Sequence, residues 1–223
     1  MKRPDQEREA RILGLTASTL TDAVGRRYDH KAHVSGLVSP TPERRLFGPA
    51  VTIRFLPRRA DVEDMTHHNF AKLFHEAIGG NGGGRVLVLS SSGYLGTSVG
   101  GGTKLSRLHN LGLAGVITDG CLRDFSEFQA YDFSAWCADE AVHWGGDALV
   151  PYEANVPVTI RDITVMPGDY VFADRSAAVI IPPDGIDEVI EEALRIQQED
   201  RRFLEEIQNE DPKEILKKGS GET

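Results

Sequence analysis

The chain is short of cysteine, of long apolar runs and of positive charge. Its 223 residues include two cysteines, Cys121 and Cys137. Two are too few for a disulfide framework, and they show no metal-type spacing. A reducing, cytoplasmic setting is the simplest expectation. No apolar run approaches the length of a membrane span. The start, MKRPDQEREA, carries charges but no apolar core, so it does not read as a secretory signal. With 25 Lys and Arg against 34 Asp and Glu, the formal net charge is −9. Such a surface disfavours a nucleic-acid backbone as partner. What remains is ordinary for a soluble globular protein: 40% hydrophobic and 26% charged residues. The length supports one sizeable core, so residues 1–223 are read as a single domain, with a helical C-terminal extension over about 184–217.

Periodicity divides the chain. Apolar residues from Arg11 to Val24 fit an amphipathic first helix. LFGPAVTIRFLP (Leu46–Pro57) reads as a strand, and Asp64–Ile78 as a second helix. GGNGGG (Gly79–Gly84) is a loop. RVLVLSSSG (Arg85–Gly93), a helix over Gly102–Gly112 and LAGVITDG (Leu113–Gly120) form a βαβ unit with parallel strands. Ligand sites lie beyond the C-terminal ends of such strands. The loops after Ser90 and Thr118 should therefore open on one crevice. Val156–Pro182 reads as antiparallel hairpins or a meander. Asp184 to about Ile207 reads as a long amphipathic helix suited to packing on a neighbouring chain. The final KKGSGET is expected to fray. No internal repeat is present. The fold class expected is α/β, with a central βαβ unit, a β-rich C-terminal half and a long last helix.

Three constellations could carry chemistry. Arg123 and Asp124 follow the second strand of the βαβ unit. Asp124-Phe-Ser-Glu127 also fits a capping box, with Arg123 a solvated charge. In the crevice, Arg123 could grip a carboxylate with paired hydrogen bonds, and Asp124 could hold a hard divalent cation partly through waters. Capping and metal binding could coexist on the two oxygens of Asp124. Gly100-Gly101-Gly102-Thr103-Lys104 opens the next helix. It is neither a P-loop nor a GxGxxG fingerprint. It is either a flexible turn or an anion cradle built on unpaired N–H groups. Lys104, in the first turn of a helix with a polar face, suits a solvated or anion-pairing role better than a Schiff base. Asp64, His68 and His75 share a helical face with His67 nearby, a weak metal reading without HExxH order. His143-Trp144 reads as a loop, and Cys121 as a small apolar filler.

These residues give the sequence its resemblance to the RraA-like family, from the first helix to about Pro182. That family holds class II 4-hydroxy-4-methyl-2-oxoglutarate aldolases, oxaloacetate decarboxylases and a ribonuclease E activity regulator. The resemblance is clearest in RVLVLSSSG, LGLAGVITDGCLRD and VPVTIRDITVMPGDYVFADRSAAVIIP. The family's enzyme motif is an acidic residue or glycine, twenty residues, then Arg-Asp. Gly102 and Arg123-Asp124 match the glycine form, and Glu127 extends it as R-D-x-x-E.

The resemblance implies a compact swivelling β/β/α domain, assembled as a homotrimer or homohexamer with sites between subunits. It implies that Arg123 and the Gly101, Gly102, Thr103 and Lys104 backbone bind a 2-keto acid. It implies Asp124 as the anchor for Mg2+ or Mn2+, with Asp119 and Glu127 in support. The expected activity is retro-aldol cleavage of a 4-hydroxy-2-keto dicarboxylic acid, or oxaloacetate decarboxylation, through pyruvate enolate. The alternative is a non-catalytic regulator of RraA type, though that branch lacks the aspartate after its arginine. Two departures stand out. Gly102 replaces the acid of the well-known aldolases, and FSAWCADEAVHWGGDALVPYEAN lacks the family's usual Phe-Ala-Arg-Gly type sequence. The second departure bears on the distal substrate pocket and raises a related lyase with an unusual substrate.

Overall fold

A computed structural model of the protein describes residues 6–212, 215 and 216. The KKGSGET stretch lies outside the described residues. The opening apolar pattern forms two helices where one was expected: α1 (Gln6–Ile12) and α2 (Ala17–Arg27). The break falls at Thr16, whose extended backbone ends one path and whose hydroxyl accepts from the Thr19 N–H to start the next. A side-chain cap of this kind satisfies a donor that helix geometry orphans, and apolar spacing does not report it. β1 (His33–Ser35) and the long β2 (Leu46–Pro57) follow.

The second helix, α3, runs only over Phe70–Ile78, shorter than the expected Asp64–Ile78. Asn69 takes the cap, its side-chain oxygen accepting from the Ala71 and Lys72 N–H groups. Upstream, the Asp64 carboxylate accepts from the Thr66 N–H at 2.8 Å and folds the segment into a turn. α3 ends at Gly79, whose φ of 56° is the left-handed conformation of a helix stop.

The central unit is as expected. β3 (Val86–Ser90), β4 (Ser98–Gly101), α4 (Gly102–Leu111) and β5 (Gly115–Thr118) follow in order. β3 and β5 pair in parallel from Val86↔Gly115 to Leu89↔Thr118. β6 (Cys121–Arg123), β7 (Ser134–Trp136) and β8 (Leu149–Ala154) come next. Two antiparallel hairpins then form, β9 (Val158–Ile160) with β10 (Ile163–Val165) and β11 (Tyr170–Ala173) with β12 (Ala177–Ile181). α5 (Ile186–Gln208) follows.

The main sheet has eight strands in the order β1-β12-β11-β2-β3-β5-β7, with β8 added to β2. β2 joins its halves, parallel to β3 and antiparallel to β11 and β8. All five residues of β3 are buried, so both faces of the sheet are covered there. Leu87 and Leu89 face a cluster with Phe74 of α3 and Leu105 and Leu108 of α4. Val86 and Val88 point the other way, onto Ile160 and Val165 of the β9–β10 hairpin. A third cluster packs Leu20, Val24 and Ile190 against Phe172. Burying each such side chain contributes about 1.5–3 kcal/mol before conformational entropy is charged against it. α5 is therefore more than an appendage: its face from Ile186 to Ile196 completes this third cluster. Beyond Ile196 the helix is solvated, and Phe203 and Leu204 are exposed. Among the described residues no helix is long and apolar enough to cross a membrane.

Candidate active site

The loops after β3 and β5 meet beyond the sheet. β4 and β6 form a two-stranded parallel ribbon there, with Gly101 opposite Arg123. The buried Asp119 ties the two loops together, its carboxylate accepting from the Ser91 N–H at 2.6 Å. The helix α4 begins at once after β4. Its N-cap is Gly101, which offers no side-chain hydrogen bond. The first-turn N–H groups are thus left to a ligand or water.

Glycine is required by closeness at two positions. A Cβ on Gly101 would lie 2.6 Å from both Arg123 Cγ and Asp124 Oδ2. A Cβ on Gly102 would meet the Glu127 carboxylate, with Glu127 Cβ at 2.7 Å and Cδ at 2.8 Å. The Glu127 side chain therefore fills the space that any side chain at 102 would need. Tyr131 Oη donates to the Gly102 carbonyl at 3.2 Å and fixes the helix start from the other side.

Asp124 stands in the left-handed conformation, φ 63°, which Asp tolerates better than most residues other than glycine. It begins a 3-10 helix (Phe125–Ala130) but makes no side-chain cap. The expected capping box is not formed. Glu127 N–H donates to the Asp124 backbone carbonyl, and the Phe125 N–H is taken by Glu140 Oε1 at 3.0 Å. The Asp124 carboxylate instead accepts from Arg123 Nε at 3.2 Å. Arg123's terminal nitrogens make no hydrogen bond among the described residues. Both side chains are about one-third exposed and line a cavity of about 600 Å³.

That cavity gathers Gly101, Thr103, Lys104, Arg123 and Asp124 from the sequence-derived set. Gly102 and Glu127 pack against each other and are not among its lining residues, and Asp119 ties the two loops together. The remaining walls include Asn69 and Phe70 at the start of α3, Ser98, and Trp144. No motif flagged these. Trp144 belongs to the segment after Phe133 that departs from the family pattern, and that departure was the one available signal.

Lys104 is not on a solvated face. Its ammonium donates to the Val99 carbonyl at 3.1 Å and lies 4.8 Å from the Phe70 ring centre. Burial first, then the positive charges of Arg123 and Arg107, push its pKa down to about 8. The histidine reading also fails. His67 and His68 lie in the turn before α3, His67 paired with Asp64 at 2.8 Å and His68 accepting from the Asp64 N–H at 3.0 Å. His75 alone is helical, and no group of three metal-ligating side chains forms among the described residues. Cys121 is buried filler in β6, as expected. His143 sits outside regular structure, also as expected, with its ring 3.1 Å from Asp147.

A family model described as RraA-like, Aldolase/RraA, matches residues 17–180. The chain belongs to the RraA-like family. Among its relatives, protein DlpA of Legionella pneumophila is 25% identical over 195 residues, 86% of this RraA-like chain. The chain spans only 30% of DlpA's own length. A Halalkalibacterium halodurans protein named "Putative 4-hydroxy-4-methyl-2-oxoglutarate aldolase" is 23% identical over 181 residues, 81% of this chain and 80% of that protein. The crystal structure of Streptomyces coelicolor RraAS2, described as an unusual member of the RNase ES inhibitor RraA protein family, superposes with a TM-score of 0.77. The match covers 91% of this chain and 98% of that one at 24% identity, which shows a shared fold. The RraA-like ribbon is thus where the Gly102-to-Arg123-Asp124 spacing becomes geometry. Twenty intervening residues form α4 and β5, and they return the chain so that Arg123 pairs beside Gly101.

Proposed function

We propose that this protein is a divalent-metal-dependent lyase. It cleaves a 4-hydroxy-2-keto dicarboxylic acid by retro-aldol reaction, decarboxylates oxaloacetate, or does both. The observation that carries the reading is the Arg123–Asp124 pair, held side by side in a cavity floored by the uncapped start of α4. The cavity offers a keto acid both an anion-binding helix start and a guanidinium with open donors.

The donor set fits a hard cation. Asp124 is a single carboxylate on an open cavity wall, suited to Mg2+ or Mn2+ that keeps most of its oxygen ligands from water and substrate. A closed nitrogen- and sulfur-ligated site has no counterpart among the described residues. Asp124 would hold the ion, which when bound supplies Lewis-acid polarisation of the keto oxygen. The protein's own groups do the rest. The α4 backbone N–H groups take the substrate's C1 carboxylate. Arg123 donates to the keto oxygen as it gains negative charge. In the retro-aldol reaction the C4 hydroxyl gives up its proton and the C3–C4 bond breaks. Its electron pair forms the C2–C3 double bond of pyruvate enolate, and C3 then takes a proton. In the decarboxylation the same bond releases carbon dioxide. Glu127, packed where an acid at position 102 would begin, is the carboxylate we assign to take the C4 hydroxyl proton and, in its protonated form, to give a proton to C3 of the enolate.

We extend the proposal to assembly as a homotrimer or homohexamer in a reducing cytoplasm. In support, Met65, Leu95, Val142 and Trp144 are large apolar side chains left exposed in this protomer. The test is pyruvate release from oxaloacetate and 4-hydroxy-2-keto dicarboxylic acids with Mg2+ or Mn2+. Arg123→Ala should lower turnover ~100–1000-fold, the effect of losing one such donor. EDTA should abolish turnover until metal is restored. Unchanged turnover after either treatment refutes the reading.

A further inference from the structure

Lys104 is a largely buried ammonium, and no carboxylate among the described residues is hydrogen-bonded or ion-paired to it. Its protein contacts are a carbonyl oxygen, Val99 O, and the face of Phe70. The charges that act on it, Arg123 and Arg107, are both positive. Arg107 Nη1 donates to the Lys104 carbonyl, and Asp124 is engaged by Arg123 Nε. Lys104 also lines an adjoining cavity of about 240 Å³, whose titratable groups are Glu63 and His68. The two cavities share Asn69, Phe70, Ser98, Lys104 and Trp144. A desolvated cation without a counterion is costly, and an arriving anion removes the cost. An ammonium has three donors, so Lys104 retains capacity beyond Val99.

We infer that Lys104 is the residue that selects a second carboxylate, the far end of a 2-keto dicarboxylate whose keto-acid head lies at Arg123 and Asp124. The inference rests on the reading of that pair as the keto-acid site. Lys104 acts by binding, and it is a specificity residue with no bond-making role. A consequence is proton uptake. With its pKa pushed down to about 8, part of the unliganded sites is neutral at pH 8. A bound carboxylate favours the charged form, so binding takes up protons at pH 8 and fewer at about pH 6.5.

The experiment is titration calorimetry with Mg2+ present, using 2-ketoglutarate and 2-ketovalerate. They share the keto-acid head and chain length and differ in the far carboxylate. The wild type should prefer 2-ketoglutarate ~10–100-fold, the worth of a charged hydrogen bond. Heats in buffers of different ionisation enthalpy should show proton uptake at pH 8 for 2-ketoglutarate alone. Lys104→Met should lose both the preference and the uptake. Competitive acetylation of the wild type, read by peptide mass spectrometry, needs no variant: 2-ketoglutarate should slow labelling of Lys104 at pH 8. Equal affinities in the wild type, a preference for 2-ketovalerate, a preference that persists in Lys104→Met, or unslowed labelling each overturn the Lys104 assignment alone. Failure of both keto acids to bind overturns the keto-acid site as well.

Discussion

A methyl group at position 101 tests whether the close approach of β4 to Arg123 and Asp124 matters for turnover. In Gly101→Ala the new Cβ would stand 2.6 Å from both Arg123 Cγ and Asp124 Oδ2, and 3.1 Å from Arg123 Nε. Ordinary contact between carbon atoms is about 3.5–4.0 Å, so the pair must move by ~1 Å. The backbone at 101 is extended, so the effect is steric and not one of φ. Displacing a positioned group by ~1 Å costs ~100-fold in rate, which is about 2.7 kcal/mol of barrier. Overpacking should also cost about 1–3 kcal/mol of stability. The assay is metal-dependent pyruvate release, with kcat/KM set beside a thermal melt. Gly112→Ala is the control. Its φ of 66° strains any side chain by about 1–2 kcal/mol, yet nothing lies within 4 Å of the new methyl. It should lose comparable stability with kcat/KM intact at assay temperature. Wild-type kcat/KM in Gly101→Ala would refute the reasoning, and so would an equal loss of activity in both variants.

Two further outcomes follow from the packing. Gly102→Asp alone should displace Glu127 and lower activity, whereas Gly102→Asp with Glu127→Gly should recover much of it, because the two side chains compete for one space. A double-mutant cycle of pyruvate release checks this, and purely additive losses exclude the exchange. Asn69→Ala removes the side-chain cap of α3 and should cost about 1 kcal/mol, seen in calorimetry as a Tm lower by roughly 2–4 °C; an unchanged Tm would show the cap to be idle.

Much of the architecture was legible because it rests on local rules. The 3.6-residue spacing of Leu105 and Leu108 and the glycine at 112 mark α4, and the flanking apolar runs mark β3 and β5. The failures are equally local in origin. Thr16 and Asn69 cap their helices through single side-chain oxygens, and Asp64 folds its own turn. Apolar periodicity is blind to such bonds, so it extends α3 too far and runs α1 and α2 into one helix. The capping box at Asp124 failed for a different reason. With φ at 63° the Asp124 side chain turns toward Arg123, and Glu140, thirteen residues beyond Glu127, takes the Phe125 N–H.

By itself, the sequence determined the βαβ unit, the antiparallel hairpins, the long last helix and the Gly102-to-Arg123-Asp124 spacing, since each is written in short-range pattern. Only the tertiary structure decided the environment of each charge. It buried Lys104 against Phe70, turned Glu127 into the space left by Gly102, and dispersed the histidines. The physical reason is that a residue's chemistry depends on what packs around it. Some of those neighbours are close in sequence, as Val99 of β4 is to Lys104, but others arrive from α3 and the Trp144 segment, dozens of residues away along the chain.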